Sequence, residues 1–290
     1  MNIHPLPEML QIETTTACNA TCLMCPRDLA TRSTHSEKME EEVFWETVRQ
    51  AHEDMGINTV VPFMDGEPLA DSRMVGFVEG CARRWPKLEL GWFTNGSLMS
   101  ADKSERLLKA GNIKRFNVSM QGGNKETYER TMGLPWERTV TNMEKLLEIN
   151  RSMGSPCTIV ANMVVFGSTE KSEDEFRDRW GKLGAELCLS AFANYGGLTS
   201  DSKHESKWNL KPRQVCHRAV KHMYVFWNGD VGQCCFDLIG SAIYGNVKQN
   251  TLMEIWNNEK SMASRIAHYA IKEEEMAPIC RKCNAPRFQS

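Results

Sequence analysis

Cys18-Asn19-Ala20-Thr21-Cys22-Leu23-Met24-Cys25 follows directly on an apolar, strand-like segment, Met9-Leu10-Gln11-Ile12-Glu13. Three thiolates on one short loop can hold three irons of a [4Fe–4S] cube and leave the fourth iron without a protein ligand. Zinc takes four ligands, typically from paired C-x2-4-C units, and His35 offers it a distant fourth here. An iron with an open position is a place for chemistry, whereas a fully ligated cube usually stores electrons.

Outward from that loop, residues 8–190 alternate strand-like and helix-like stretches, which predicts a parallel sheet or barrel. Strands are expected at 9–13, 58–63, 87–93, 115–119, 158–165 and 186–192. Helices are expected at 40–54, 71–84, 101–110, 136–152 and 172–182. Ser100 and Asp102 mark the start of one helix, Gly111 its end, and Ser172 with Glu175 forms a capping-box pattern before another. Six repeats fall short of a closed eight-unit barrel. The expected fold class is therefore α/β, a partial (β/α)6 TIM-like barrel over residues 1–205, with a small second domain over 206–290. Residues 194–212, polar and glycine-rich, read as a linker or a loop over the site.

In parallel strand–helix folds the site lies at the carboxyl ends of the strands. The cysteine loop follows the first strand, Asp65-Gly66-Glu67-Pro68 the second, Thr94-Asn95-Gly96 the third and Ser119-Met120-Gln121-Gly122-Gly123 the fourth. Their coincidence at one end marks that end as the site. Gly122-Gly123 with Lys125 is not a phosphate loop.

A formal net charge of −2, with 25% charged and 41% hydrophobic residues, describes a chain that can bury a sizeable core. It lacks the basic surface by which phosphates are held, so no nucleic-acid partner is expected. No apolar run approaches the ~18–20 residues of a membrane helix, and Met1–Pro7 has neither a basic nor an apolar leader region. A cytoplasmic protein without a membrane partner is the expectation. Eleven cysteines in such a chain read as metal ligands before disulfides. Cys81, Cys157 and Cys188 stand isolated in apolar surroundings and read as small buried hydrophobes.

The remaining thiols form a second group, Cys216, Cys234, Cys235, Cys280 and Cys283, five candidates for a four-ligand site. Adjacent side chains on an extended segment point apart, so Cys234 and Cys235 do not both serve one site comfortably. A structural zinc is the plain alternative here as well. Arg213, His217, Arg218 and His222 flank the group, either as an anchor for an anionic substrate or as a partly exposed helix face. Trp92, Phe93 and Trp227 read as core or site walls.

Taken together, these motifs resemble the radical S-adenosylmethionine (SAM) superfamily along nearly the whole chain. The resemblance implies that Cys18, Cys22 and Cys25 hold a [4Fe–4S] cluster whose open iron binds SAM. Reductive cleavage of SAM then gives a 5′-deoxyadenosyl radical that abstracts a substrate hydrogen. By the same likeness Gly66, Glu67 and Pro68 match the family's GEP motif, which contacts the methionine ammonium; Ser119 and Gln121 stand where relatives place polar groups against the SAM ribose and carboxylate, and Asn95 is expected to line the same pocket. Many relatives read Ser-x-Asp where this chain has Ser119-Met120-Gln121. Gly245-Asn246-Val247 and Leu252–Asn257 resemble the C-terminal module called SPASM, or its shorter Twitch form. That likeness implies one auxiliary [4Fe–4S] cluster on Cys216, Cys234, Cys280 and Cys283. Cys235 is left as a packed spare thiol or a hydrogen-atom donor. The cysteine spacing and length also resemble cyclitol dehydrogenases of aminoglycoside biosynthesis, which implies oxidation of a small polar, cyclitol or sugar-like substrate with the auxiliary cluster as electron acceptor. An epimerase using Cys235 and a ribosomal-peptide maturase are the alternatives within the superfamily, and a non-enzymatic zinc-binding module the alternative outside it. A flavodoxin or ferredoxin is the implied electron donor.

Overall fold

The computed structural model describes residues 6–30, 36–199 and 211–285. Strand β1 (Met9–Ile12) pairs in parallel with β2 (Thr59–Val61), and β2 with β3 (Glu89–Leu90). The chain then breaks at Gly91, where a Cβ would come within 2.6 Å of Val61 Cγ2. It resumes as β4 (Trp92–Thr94), which opens a second parallel sheet with β5 (Arg115–Ser119), β6 (Thr158–Val165) and β7 (Glu186–Ala191). The strand expected over 87–93 is thus two pieces in two sheets. Counting it once, the order is that of the partial (β/α)6 barrel expected from the sequence.

Helices α1 (Glu41–Arg49), α2 (Met74–Arg84) and α3 (Ala101–Ala110) fall where expected, as do α5 (Trp136–Ser152) and α6 (Glu173–Lys182). Between them α4 (Lys125–Met132) was not anticipated. Two of its four buried residues are Thr127 and Thr131, so its inner face does not read as apolar. Ser100 caps α3 by accepting from Lys103 N at 3.2 Å, and Gly111 closes it in the left-handed region. The capping box expected at Ser172 and Glu175 does not form. Tertiary neighbours take both side chains: Ser172 Oγ accepts from Gly123 N at 3.1 Å, and Glu175 accepts from Asn124 Nδ2.

Strand β5 explains how one sheet serves both core and site. Phe116 and Val118 are fully buried on one face, while Asn117 and Ser119 are half-buried on the other. The first face packs under the helices and the second lines the barrel interior.

The C-terminal part begins with α7 (His217–Lys221) and continues into β8 (His222–Val225). Strands β9 (Asp230–Gly232) and β10 (Ile243–Asn246) follow, antiparallel. Strand β8 pairs in parallel with β1, Met9 opposite His222 and Ile12 opposite Val225, so this part extends the barrel's own sheet. Helix α8 (Leu252–Asn257) starts with a true capping box between Thr251 and Glu254, and α9 (Glu259–Tyr269) and α10 (Pro278–Lys282) complete the unit. His35, most of the expected linker and the 205/206 boundary lie outside the described residues. Among the described residues no helix is long and apolar enough to cross a membrane.

Candidate active site

The cysteine loop is held from two sides. From the barrel, Gly66 lies so close that a Cβ would sit 2.4 Å from Thr15 O, and Glu67 N donates to Ala17 O at 2.7 Å. From α4, Thr21 N donates to Met132 O at 3.0 Å and Leu23 N to Thr131 O at 2.9 Å. Gly133 ends that helix with φ +65°, and a Cβ there would fall 2.0 Å from Thr21 Oγ1. Only glycine satisfies both the close approach and the left-handed backbone. Arg27 Nη2 adds a 3.0 Å bond to Thr16 O.

Cys18, Cys22 and Cys25 line one wall of a cavity at the carboxyl ends of the strands. Burial pushes all three thiols up, Cys25 to about 11. Gly66, Glu67, Asn95, Ser119 and Gln121 line the same cavity, so the sequence-predicted group converges. Pro68 is buried just behind, opening a short helical turn.

Their hydrogen bonds sort these residues into different tasks. Glu67 Oε1 accepts from Thr94 Oγ1 (2.6 Å) and Leu69 N (3.1 Å), and Oε2 from Asn95 N (2.7 Å). Burial pushes its carboxyl up, against the pull of those donors. Most of its acceptor capacity therefore ties strand ends together. Asn95 is more fully committed: Nδ2 donates to Asn19 Oδ1 at 2.9 Å, and Oδ1 accepts from Ser97 N and Oγ. It positions the cysteine loop. Gln121 Oε1 accepts from Val164 N at 2.7 Å, which fixes the amide and leaves its NH2 for a ligand.

The lining also includes Tyr195, Cys235 and Phe236. Tyr195 was not singled out by the sequence, and its polar, glycine-rich surroundings gave no signal. Its φ of +48° is unusual for a bulky residue. The turn is pinned by Asn194 N to Asn284 Oδ1 (2.8 Å) and Asn284 N to Asn194 Oδ1 (3.1 Å). Burial pushes the phenol up, and the neighbouring Cys25 and Cys235 add to the shift.

Cys216, Cys234, Cys280 and Cys283 line a second cavity, while Cys235 lines the first. The adjacent pair is thereby divided between the two cavities, in the turn that follows β9. Burial pushes Cys216, Cys280 and Cys283 up, Cys283 to about 11. A hydrogen bond from Cys234 and the Arg218 guanidinium draw Cys235 down, while the same bond and burial push Cys234 up. Arg213 and His268 complete the lining. Both are buried, and Arg213 Nη1 and His268 Nε2 have no hydrogen-bond partner. Burial, then Arg213, lowers the His268 ring to about 4, so it is neutral near pH 7. Arg213 is thus no exposed helix face; α7 starts only at His217, and just that residue of the basic group is exposed. Cys188, expected in the core, is half-buried on β7, while Cys81 and Cys157 are buried.

Among the described residues no group of three or more His, Cys, Asp and Glu side chains converges on a single-ion site. Two thiol groups, the three of the Cys18–Cys25 loop and the four of the second cavity with partnerless nitrogens beside them, suit sulfide-bridged iron clusters.

The radical SAM superfamily model matches residues 12–178, and that of the iron–sulfur cluster-binding SPASM domain matches residues 216–284. The chain is similar to the S-adenosyl-L-methionine-dependent 2-deoxy-scyllo-inosamine dehydrogenase of Niallia circulans, 22% identical over 97% of this chain and 94% of the relative. In structure it is similar to BtrN in complex with AdoMet and 2-DOIA (TM-score 0.66, 17% identity, 98% of this chain and 96% of that one). Streptococcus suis SuiB bound to precursor peptide SuiA is similar too (TM-score 0.72, 16% identity, 98% and 72%). At these identities the structural likeness speaks for the fold. The family models carry the cofactors: SAM with a [4Fe–4S] cluster, and auxiliary iron–sulfur in the SPASM part. The match of the superfamily model over residues 12–178, on a chain whose cysteine loop is clamped at the strand ends, makes this chain a member of the radical SAM superfamily with a C-terminal SPASM domain.

Proposed function

We propose that this radical SAM enzyme oxidises a carbinol carbon of a small polar substrate, of the cyclitol or sugar-like class. Cys18, Cys22 and Cys25 hold the SAM-binding cluster, and Cys216, Cys234, Cys280 and Cys283 a single auxiliary one. When bound, SAM would supply the hydrogen-abstracting radical chemistry, and a cluster on the second set of thiols would supply an acceptor for the electron left on the substrate. The observation that carries this reading is that one cavity is lined both by the three-thiol loop and by Cys235 and Phe236, whose neighbour Cys234 lines the four-thiol cavity. The full-length likeness to a cyclitol dehydrogenase supports it.

Within the cavity the chain's own groups bind and orient. Gln121 offers an anchored NH2, Ser119 a hydroxyl, and the Gly66-Glu67-Pro68 turn an acceptor edge for an ammonium group. Phe63 and Phe93, their rings stacked at 5.8 Å, form an apolar flank. A flavodoxin or ferredoxin supplies the first electron.

Anaerobic turnover with candidate cyclitols deuterated at one carbinol carbon tests the proposal. Deuterium in 5′-deoxyadenosine, with a product lighter than the substrate by the abstracted deuterium and the hydroxyl proton, supports it. A product lighter by about one mass unit, with a solvent hydrogen in place of the deuterium, rejects dehydrogenation. That result would favour a second reading, epimerisation, which rests on Cys235 lining the substrate cavity together with the cysteine loop. There Cys235→Ala stops product formation while leaving SAM cleavage; an unchanged rate removes the epimerase reading.

A further inference from the structure

We infer that Arg213 and His268 donate hydrogen bonds to the auxiliary cluster and raise its reduction potential, setting it as an electron acceptor. This rests on reading the second cavity as a cluster site. Arg213 is held by three contacts, and neither its Nε nor its Nη1 makes a hydrogen bond. Its Nη2 donates to Arg281 O at 3.0 Å and Cys283 O at 3.2 Å, both on the segment that carries two of the thiols. Its Nε lies 3.1 Å from Glu273 Oε1 in an ion pair. Nη1 has no partner, and neither has Nε2 of His268.

Buried polar atoms without partners are rare, and each calls for an explanation. Here both residues line one small cavity whose other walls are thiols and the apolar side chains of Ala219, Phe236 and Ile279. None of those walls offers an oxygen acceptor. The sulfides of a cluster do accept hydrogen bonds, and such bonds, like nearby positive charge, move a cluster's potential upward. Arginine carries its charge at every accessible pH and only donates. Two donors fixed before the cluster is assembled give a centre that gains an electron more readily than the solvent-facing alternative.

The test is a redox titration of the reconstituted full-length chain, followed by electron paramagnetic resonance. In His268→Phe the auxiliary midpoint falls, so that the ratio of reduced to oxidised cluster at the wild-type midpoint drops about tenfold, about 59 mV for one electron. The SAM-binding cluster keeps its midpoint, and His268→Gln, which retains a donor, recovers part of the shift. Equal midpoints in wild type and His268→Phe, both clusters loaded, overturn the inference. Should His268→Phe not hold the second cluster, a chain carrying His217→Gln and 15N-labelled histidine decides. Hyperfine coupling of a histidine nitrogen to the reduced auxiliary cluster supports the assignment, and its absence overturns it. A wild-type chain that assembles one cluster only overturns the auxiliary site itself, independently of which substrate is oxidised.

Discussion

Glu67 is the residue at which motif and structure part company. As a tripeptide, Gly66-Glu67-Pro68 reads as a binding motif, and the carboxylate as an acceptor for an ammonium. In the fold that carboxylate holds Thr94 and Asn95, 27 and 28 residues further on, together with Leu69 N. No spacing rule exposes such a partner, because the contact is made only when β4 is laid beside β2 through β3. Three donors occupy both of its oxygens. An amide has one acceptor atom, so Glu67→Gln leaves either Asn95 N or the Thr94 and Leu69 donors facing an NH2. Leaving a buried donor unpaired costs about 1–3 kcal/mol. We expect Glu67→Gln to lower the free energy of unfolding by that amount in anaerobic urea titrations and to weaken SAM binding. A variant within about 0.5 kcal/mol of wild type would show that the three bonds carry no net stability. Asn95 makes the complementary case: its amide is spent on Asn19 and Ser97, so Asn95→Ala acts by loosening the cysteine loop. Its expected signature is loss of iron from the SAM-binding cluster before any change in the auxiliary one, measured by Mössbauer or paramagnetic resonance spectra.

At the scale of elements, strands were legible and the short polar helix was not. Runs such as Arg115–Ser119 and Thr158–Val165 alternate or cluster β-branched residues, and each formed where expected. Helix α4 hides part of its inner face in Thr127 and Thr131, and its start signal, Asn124 accepting from Thr127 N at 2.9 Å, sits in a segment to which no element was assigned from sequence. Yet α4 clamps the cysteine loop, through Thr131 O, Met132 O and the Gly133 turn. Gly133→Ala therefore strains two things at once, a backbone at φ +65° and a contact of 2.0 Å with Thr21 Oγ1. The expected outcome is a chain that reconstitutes with about half its iron, retaining the auxiliary cluster while losing the SAM-dependent spectral change of the first. Adding Thr21→Gly removes the steric part and leaves only the backbone strain, about 1 kcal/mol, so the double variant recovers most of the first cluster. Iron content equal to wild type in Gly133→Ala would mean that the clamp does not hold the loop.

Across the whole molecule, one sheet runs through both the barrel and the C-terminal part. The partial barrel was legible because its polar strand ends recur at one edge. The pairing of β8 with β1 was not, since His222-Met223-Tyr224-Val225 carries no mark of its partner. His222 stands at that join, opposite Met9, with its Nδ1 3.2 Å from the Tyr224 hydroxyl. Burial lowers its ring to about 4; Arg218, His217 and Lys221 push the same way and Glu8 opposes them. The unfolded ring titrates near 6.5. Between about pH 6.5 and 4 the unfolded chain thus binds a proton that the folded chain does not. Stability from this group is complete above pH 6.5 and is lost as the pH falls toward 4. One proton corresponds to about 1.4 kcal/mol per pH unit, and the partly solvated ring reduces this to about 1 kcal/mol. His222→Phe removes the uptake, so its stability falls less steeply on acidification than that of wild type, other titrating groups being common to both. Denaturant midpoints of the two chains measured from about pH 7.5 to 5 should converge or cross. Parallel curves would place the His222 ring in water, and with it the edge at which the C-terminal part joins the barrel.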